Sequence, residues 1–421
     1  MGTGMNANTK ADLAVDGGSP VRDEPMPPRR LIGDAEKQAV DALFDAAIES
    51  GNAFGYGGPA EAAYEEAFTD FMGGGYADGV NSGSNAVFCA LGALKLPPFS
   101  EVIVPPITDP GGVMPVPLLG LIPMVADAAP GSYNTSIQQI EPLVNERTSA
   151  ILVAHIGGEP VDMDPILELA ERHRLRVVED CAQAHGARYK GRLVGTFGDT
   201  AAFSTMFGKH HCTGGQGGVV YSTDESLSWE GRRFADRGKP FGLEASGNVR
   251  AGLNCNLNDL SATIGLAQIR KLPSIIEGRR RVGEALKERL GSLRAVSLGP
   301  QIDEIEPVYW FVRVRLDLQA LSVSKREFCR ALSAEGIPVN PSYRFIPCEA
   351  PWFRDQAVLG ENGFPWTAAE YTGDRSPEFD VRNAVRSTEE QFNVAIHENY
   401  TDREIDDIVA ALAKVEAAYL R

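Results

Sequence analysis

The sequence predicts an α/β protein: a large body on a mostly parallel sheet with helices on both faces, followed by a smaller α+β unit. Three observations predict it. Between Asn81 and Ser222, short apolar runs alternate with helical patterns of ten or so residues, as in chained βαβ units. Runs such as SAILVAH lack polar alternation, which suits strands buried on both faces. At 421 residues the chain is too long for one ordinary core.

The Gly- and Pro-rich opening to about Arg30 reads as an arm. DAEKQAVDALFDAAIESG is the first helix, with Asp34 as its candidate N-cap. SGSNAVFCALGAL is a loop entering a helix. EVIVP and LIPMVAD are short strands, SIQQIEPLVNE a helix, SAILVAH a strand, MDPILELAERHR a helix and RVVED a strand. TAAFST and GGVVYS continue the strands, with a glycine-rich loop between them. DLSATIGLAQIRKL and IIEGRRRVGEALKERL are amphipathic helices, the second bridging two units. VYWFVRVRLD (strand), SKREFCRALSAEG (helix) and DREIDDIVAALAKVEAAYL (helix) make the smaller unit. The domains expected are therefore an arm (1–30), a large α/β domain (31–285) and a small α+β domain (286–421), with the boundary in the stretch 275–295.

A net charge of −17 without clustered Lys and Arg argues against a nucleic-acid partner. Six scattered cysteines without a CxxC pair read as buried thiols in a reducing compartment, with neither disulfide nor metal expected. The first thirty residues lack an apolar core behind a basic start, and no apolar window is long enough to span a bilayer. The expected location is cytoplasmic, with no membrane partner.

Four segments carry chemistry. In RVVEDCAQAHGA, Asp180 ends an apolar strand and projects from the carboxyl edge of the sheet, where ligands of open α/β folds bind. An aspartate there also serves as a loop cap; as a ligand it would pair with a protonated ring nitrogen. In FSTMFGKHHCTGGQGG, Lys209 stands between a strand and a loop with Gly214, Gly215, Gly217 and Gly218, which permits close backbone approach to a ligand. A partly buried amine there, beside His210, would have a lowered pKa and could attack an aldehyde. In SGSNAV, Gly83, Ser84 and Asn85 open a helix, a phosphate cradle or a simple N-cap. In GLNCNLND, Asn254 and Asn256 precede another helix, and capping explains one of the three asparagines there.

In this order and spacing, the segments resemble the DegT/DnrJ/EryC1/StrS family of sugar aminotransferases, enzymes of the pyridoxal-phosphate (PLP) fold type I. The resemblance runs from about Leu13 almost to the end and includes EVIVPPIT, VAHIGGEPVDMDPI, EDCAQAHGA, FSTMFGK and NVAIHENYTDREIDDIV. It implies the aspartate-aminotransferase fold with a seven-stranded sheet, and a homodimer with shared active sites. The implied reaction is ping-pong amino transfer from glutamate or glutamine, through pyridoxamine phosphate (PMP), to a keto-sugar or keto-cyclitol. It further implies that Lys209 forms the Schiff base, Asp180 pairs with the pyridine nitrogen and Gln183 bonds the ring hydroxyl. Ala182 would pack on the ring, and Ser204 would hold the phosphate with Gly83, Ser84 and Asn85. Asn254 or Asn256 would reach the phosphate of the neighbouring subunit. Phe54 and Tyr56 in GNAFGYGG, with Tyr343 and Arg344 in PSYRFIP, are candidates at the substrate mouth. LAVDGGSPVR and the overall length look more like the cyclitol and carbohydrate-ketone members than the nucleotide-sugar ones.

The sequence departs from the family pattern in three places. PPITDPGG carries Asp109 where many relatives have an aromatic residue stacking on the pyridine, and Asn256 stands where many have arginine. The Lys209 loop is one residue longer than the commonest spacing. Counting back from Gly218 by the shorter spacing reaches His210, which raises the alternative of a sugar dehydratase with histidine in place of the lysine. A non-catalytic regulator or carbohydrate-binding relative is the alternative from another class.

Overall fold

The computed structural model describes residues 12–421. Seven strands form the central sheet: β1 (Tyr76–Val80), β2 (Glu101–Val104), β3 (Ile122–Val125), β4 (Thr148–Ala154), β5 (Arg176–Asp180), β6 (Thr200–Ser204) and β7 (Gly218–Ser222). Their order is β1-β7-β6-β5-β4-β2-β3. Only β7 runs against the rest, pairing antiparallel with β1 and β6. The mostly parallel seven-stranded sheet is thus present. β5 and β6 lie at its centre, so Asp180 and Ser204, the last residues of adjacent parallel strands, emerge together at one edge.

The helices bearing on the site are α1 (Asp34–Ser50), α2 (Pro59–Met72), α3 (Gly83–Ala93), α4 (Met163–His173), α5 (Glu225–Ala235) and α6 (Asp259–Ile269). α4 is a plain case of pattern dictating packing: Met163, Ile166, Leu169 and Ala170 share one face and are buried under the sheet. α2 and β1 are absent from the sequence expectations. Pro59 in the first turn of α2 and Gly73 at φ 83° after its end are sound start and stop signals. Its Tyr64, Phe68 and Met72 are buried at helical spacing. The helix expected over SIQQIEPLVNE is shorter: α-helix ends at Ile140 and a 3-10 turn covers Glu141–Leu143, because Pro142 has no N–H to continue the ladder.

The long helix α7 (Leu272–Leu290) leaves the large body. Its Leu272 and Ile276 are buried with the body's residues, while Val282, Leu286 and Leu290 are buried in a second core. We place the division between the two units inside this helix. The second core surrounds a four-stranded antiparallel sheet, in order β8 (Val296–Leu298), β9 (Val312–Leu316), β11 (Gln391–Val394), β10 (Val339–Asn340). It is backed by α8 (Lys325–Ala334) and α10 (Asp402–Tyr419), with α9 (Arg382–Glu390) leading into β11.

Three expectations are corrected. The opening segment is not a free arm from residue 12 onward: Leu13 is fully buried in the second core, and the N–H groups of Ala14 and Val21 donate to the Glu335 carboxylate. The strand expected from Val308 begins only at Val312, because Val308 and Trp310 donate their N–H groups to Gly158 and Gly157 beside the site instead. The segment 341–385 does not belong to the small core. Its Tyr343, Ile346, Phe353, Trp366 and Tyr371 are buried against the large body and roof one end of the sheet.

Candidate active site

A cavity of about 330 Å³ lies at the carboxyl edge of the sheet, within the size range of small-molecule sites. Gly83, Ser84, Asp109, Asp180, Ala182, Gln183, Ser204, Lys209 and Tyr343 all line it. Five widely separated segments therefore meet in one place.

Lys209 follows the turn after β6 and is 6% exposed. Burial pulls its amine down to about 8, while Asp180 and Asp109 hold it up. The Nζ sits 4.0 Å from the centre of the Trp310 ring, a cation–π contact. The indole N–H in turn donates to the Gly208 carbonyl at 3.1 Å, tying ring and lysine turn together. From the other side the Arg29 guanidinium donates to the carbonyls of Lys209 (2.6 Å) and His210 (2.8 Å) and pairs with Glu398 at 2.9 Å. The lysine backbone is thus held by groups from the opening segment and the small unit.

Asp180 is 7% exposed. Burial pushes its carboxyl up, against the Ala182 N–H donated at 2.9 Å and the Lys209 charge. Its neighbour Glu179 points to the opposite face and accepts from Gly195, Phe197, Gly198 and His155. That network fixes the strand end and, because Val161 N–H donates to His155 Nδ1, puts the His155 proton on Nε2. His155 also lines the cavity. Gln183 is engaged at both ends: its Oε1 accepts from Gly157 N–H and its Nε2 donates to the Tyr343 hydroxyl, each at 2.7 Å.

At the other end of the cavity the N-cap of α3 is Ser82, whose side chain accepts the Asn85 N–H at 3.1 Å. Its carbonyl takes the Ala86 N–H. The amides of Gly83 and Ser84 remain for a ligand, beside the Ser84 and Ser204 side chains. Asn85 is not part of this cradle, since its side chain donates to Asn81 at 2.6 Å.

The glycines here are dictated by space. A Cβ on Gly83 would stand 2.6 Å from Ser204 Cβ, and one on Gly111 would stand 2.0 Å from Ser84 Oγ. Gly111→Ala must therefore swing Ser84 out of the cradle. Losing one hydrogen bond to a charged group, about 1.5–3 kcal/mol, is expected to weaken PLP binding roughly 10- to 100-fold in a fluorescence titration. Unchanged affinity would remove Ser84 from the phosphate end.

Other candidates fall elsewhere in this chain. His210 is fully buried away from the cavity, with Nε2 facing the Val308 carbonyl at 3.2 Å and its ring stacked on His185. It does not stand in for the lysine, which removes the ground for the dehydratase reading. Phe54 packs on Phe44, and the Tyr56 hydroxyl accepts from Arg237 at 2.6 Å. Asn254 and Asn256 bond to each other at 2.7 Å. None of these four lines the cavity. Arg344 does not reach it either: its fork is occupied by Glu349 at 2.8 and 2.7 Å. Asp109, where an aromatic residue was in question, lines the cavity and caps the turn at Pro110–Gly112 by accepting the Gly111 N–H.

Trp310, His155, Arg29 and Phe345 are absent from the sequence expectations. Only His155 had a signal available: it follows β4 directly, at the same sheet edge as Asp180. PLP fits the residues present. A buried carboxylate and a buried amine face one cavity, and free helix-terminal amides with two serine side chains stand at its far end.

Comparison with known proteins agrees with this geometry. The chain is 31% identical over 353 residues to the GDP-perosamine synthase of Caulobacter vibrioides, covering 84% of this chain and 89% of that one. It is 29% identical over 418 residues to the L-glutamine:2-deoxy-scyllo-inosose aminotransferase of Micromonospora echinospora, covering 90% and 97%. The solved aminotransferase from Psychrobacter cryohalolentis superimposes with a TM-score of 0.80 at 25% identity, over 92% of this chain and 98% of that one. The model of the DegT/DnrJ/EryC1/StrS aminotransferase family matches residues 34–413. With that match spanning both units and every segment of the cavity, the chain belongs to the DegT/DnrJ/EryC1/StrS family and is a PLP-dependent aminotransferase.

Proposed function

We propose that this enzyme moves an amino group from glutamine or glutamate to the ketone of a sugar or cyclitol, with Lys209 as its central catalytic residue. The observation that carries the reading is a buried amine with a pKa near 8, in one cavity with Asp180 and the α3 amides. When bound, PLP supplies an aldehyde for the donor amine and a ring that takes up the electron pair left at the donor Cα. Lys209 Nζ is the base that removes the Cα proton and the acid that returns it to the cofactor's C4′. A pKa near 8 keeps both protonation states accessible close to neutral pH.

Asp180 would accept the ring N–H and balance its charge. Gln183, held by Tyr343 and Gly157, would face the ring hydroxyl. Ala182 would pack on one ring face. Gly83 and Ser84 amides with the Ser204 hydroxyl bind the phosphate. Trp310 restricts where the lysine amine can go, a positioning role.

The active sites are shared in a homodimer, with Asn254 or Asn256 serving the partner's phosphate. Two features support this: neither residue lines the cavity of its own chain, and the exposed Phe207 (68%) and Leu253 (59%) flank the lysine and asparagine loops. No helix of the described residues is long and apolar enough to cross a membrane.

The test is spectroscopic. PLP-loaded protein should show a visible band that bleaches with glutamine or glutamate and returns when a keto-sugar or keto-cyclitol is added. A band that neither donor bleaches would contradict the reading.

A further inference from the structure

Beside the cofactor cavity lies a second recess of about 280 Å³, and the two share Thr108 and Phe345 in their walls. Its outer side comes from the segment that left the small core, with the half-buried Trp352 and the exposed Pro351 as apolar surface and Arg344 and Glu349 as polar groups. Phe345 adds a second aromatic side chain, 42% exposed.

The charge of this recess is the informative feature. Arg344 is not a free cation: Glu349 occupies its fork, and Glu389 lies 3.7 Å from a guanidinium nitrogen. Two carboxylates surround one guanidinium, in a chain whose net charge is −17. A diphosphate needs unpaired donors of positive charge and would meet carboxylates instead. A polyhydroxylated ring suits the same surface. Its C–H face packs on Trp352 and Phe345, and its hydroxyls both donate to the carboxylate and accept from the guanidinium.

We propose that this recess is the acceptor subsite and that it selects an uncharged polyhydroxylated ketone, a keto-cyclitol or free keto-sugar, over a nucleotide-linked one. The proposal rests on the amino-transfer reading above, and it adds the acceptor class and the residues that choose it.

The test uses holoenzyme converted to its aminated form with the donor, then offered 2-deoxy-scyllo-inosose or a GDP-linked 4-keto sugar. Return of the visible band is followed in single turnovers. The neutral ring should be consumed, with half-saturation rising about tenfold in Trp352→Ala. It should also rise in Glu349→Gln, a milder change that keeps the packing. In both variants the donor step should keep its wild-type rate, which shows that the site has folded. Consumption of the GDP-linked ketone alone, consumption of neither, or unchanged half-saturation in both variants overturns the subsite. A donor step that fails in the wild type is a different result, because it sinks the amino-transfer reading before any acceptor is added.

Discussion

Lys209→Ala should abolish amino transfer, slowing the donor step by about 10⁴-fold or more, the top of the range for losing a general acid–base group. A covalent attachment is lost in the same variant. Loss of fold is not expected to contribute. Burial is the first cause of the lysine's lowered pKa, so removing the amine relieves a desolvation penalty. The thermal midpoint of the cofactor-free variant should therefore be no lower than that of the wild type. The cradle of Gly83, Ser84 and Ser204 is untouched, and PLP should still bind, non-covalently and without the visible band of the wild type. A variant that retained the band and the donor rate would move the chemistry to another amine.

Asp180→Asn should have the second-largest effect, and its sign separates two explanations of why the carboxylate is there. Asp180 raises the pKa of Lys209, so the neutral variant lets that pKa fall further below the ordinary lysine value. Amine-labelling of the cofactor-free variant should therefore begin at lower pH than in the wild type, whose midpoint is expected near 8. If the carboxylate only tuned the lysine, more free amine at neutral pH would speed the reaction. We expect the opposite: donor turnover falling by about 10²- to 10⁴-fold, because nothing then holds the ring nitrogen protonated. A variant within tenfold of the wild type would show that Asp180 acts through Lys209 alone.

The parts of the site that are legible in the sequence are those fixed by local chain geometry. Asp180 is readable because it ends an apolar strand, and position at the end of a parallel strand is position at the ligand edge; Ser204 ends the adjacent strand but enters the reading only through the family resemblance. Lys209 is readable from the glycine-rich loop that follows it. Gly83 and Ser84 follow from a helix start, although the cap proves to be Ser82, which takes Asn85 out of the cradle.

What stays hidden depends on contacts between distant segments. Trp310 reaches Lys209 because its N–H bonds to Gly157 rather than to a strand partner, which no local pattern announces. Arg29 lies in a stretch that composition marks as an arm, yet it holds the carbonyls of the lysine turn. The 341–385 segment reads as part of the small unit by chain order alone, and only its packing against the large body reveals the recess walled by Trp352. The α2 helix carries local signals, proline and glycine at its ends and Tyr64, Phe68 and Met72 on its buried face, but the glycine-rich loops on both sides mask them.

The central claim is that the Nζ of Lys209 joins the cofactor and carries the proton. It is tested most directly by reducing the PLP-loaded enzyme with borohydride and mapping the modified peptide by mass spectrometry. The account predicts one phosphopyridoxyl group per chain, on Lys209, and none when the enzyme is first converted to its aminated form with the donor. Modification of a different lysine, or no modification while the cofactor stays tightly bound, would contradict it.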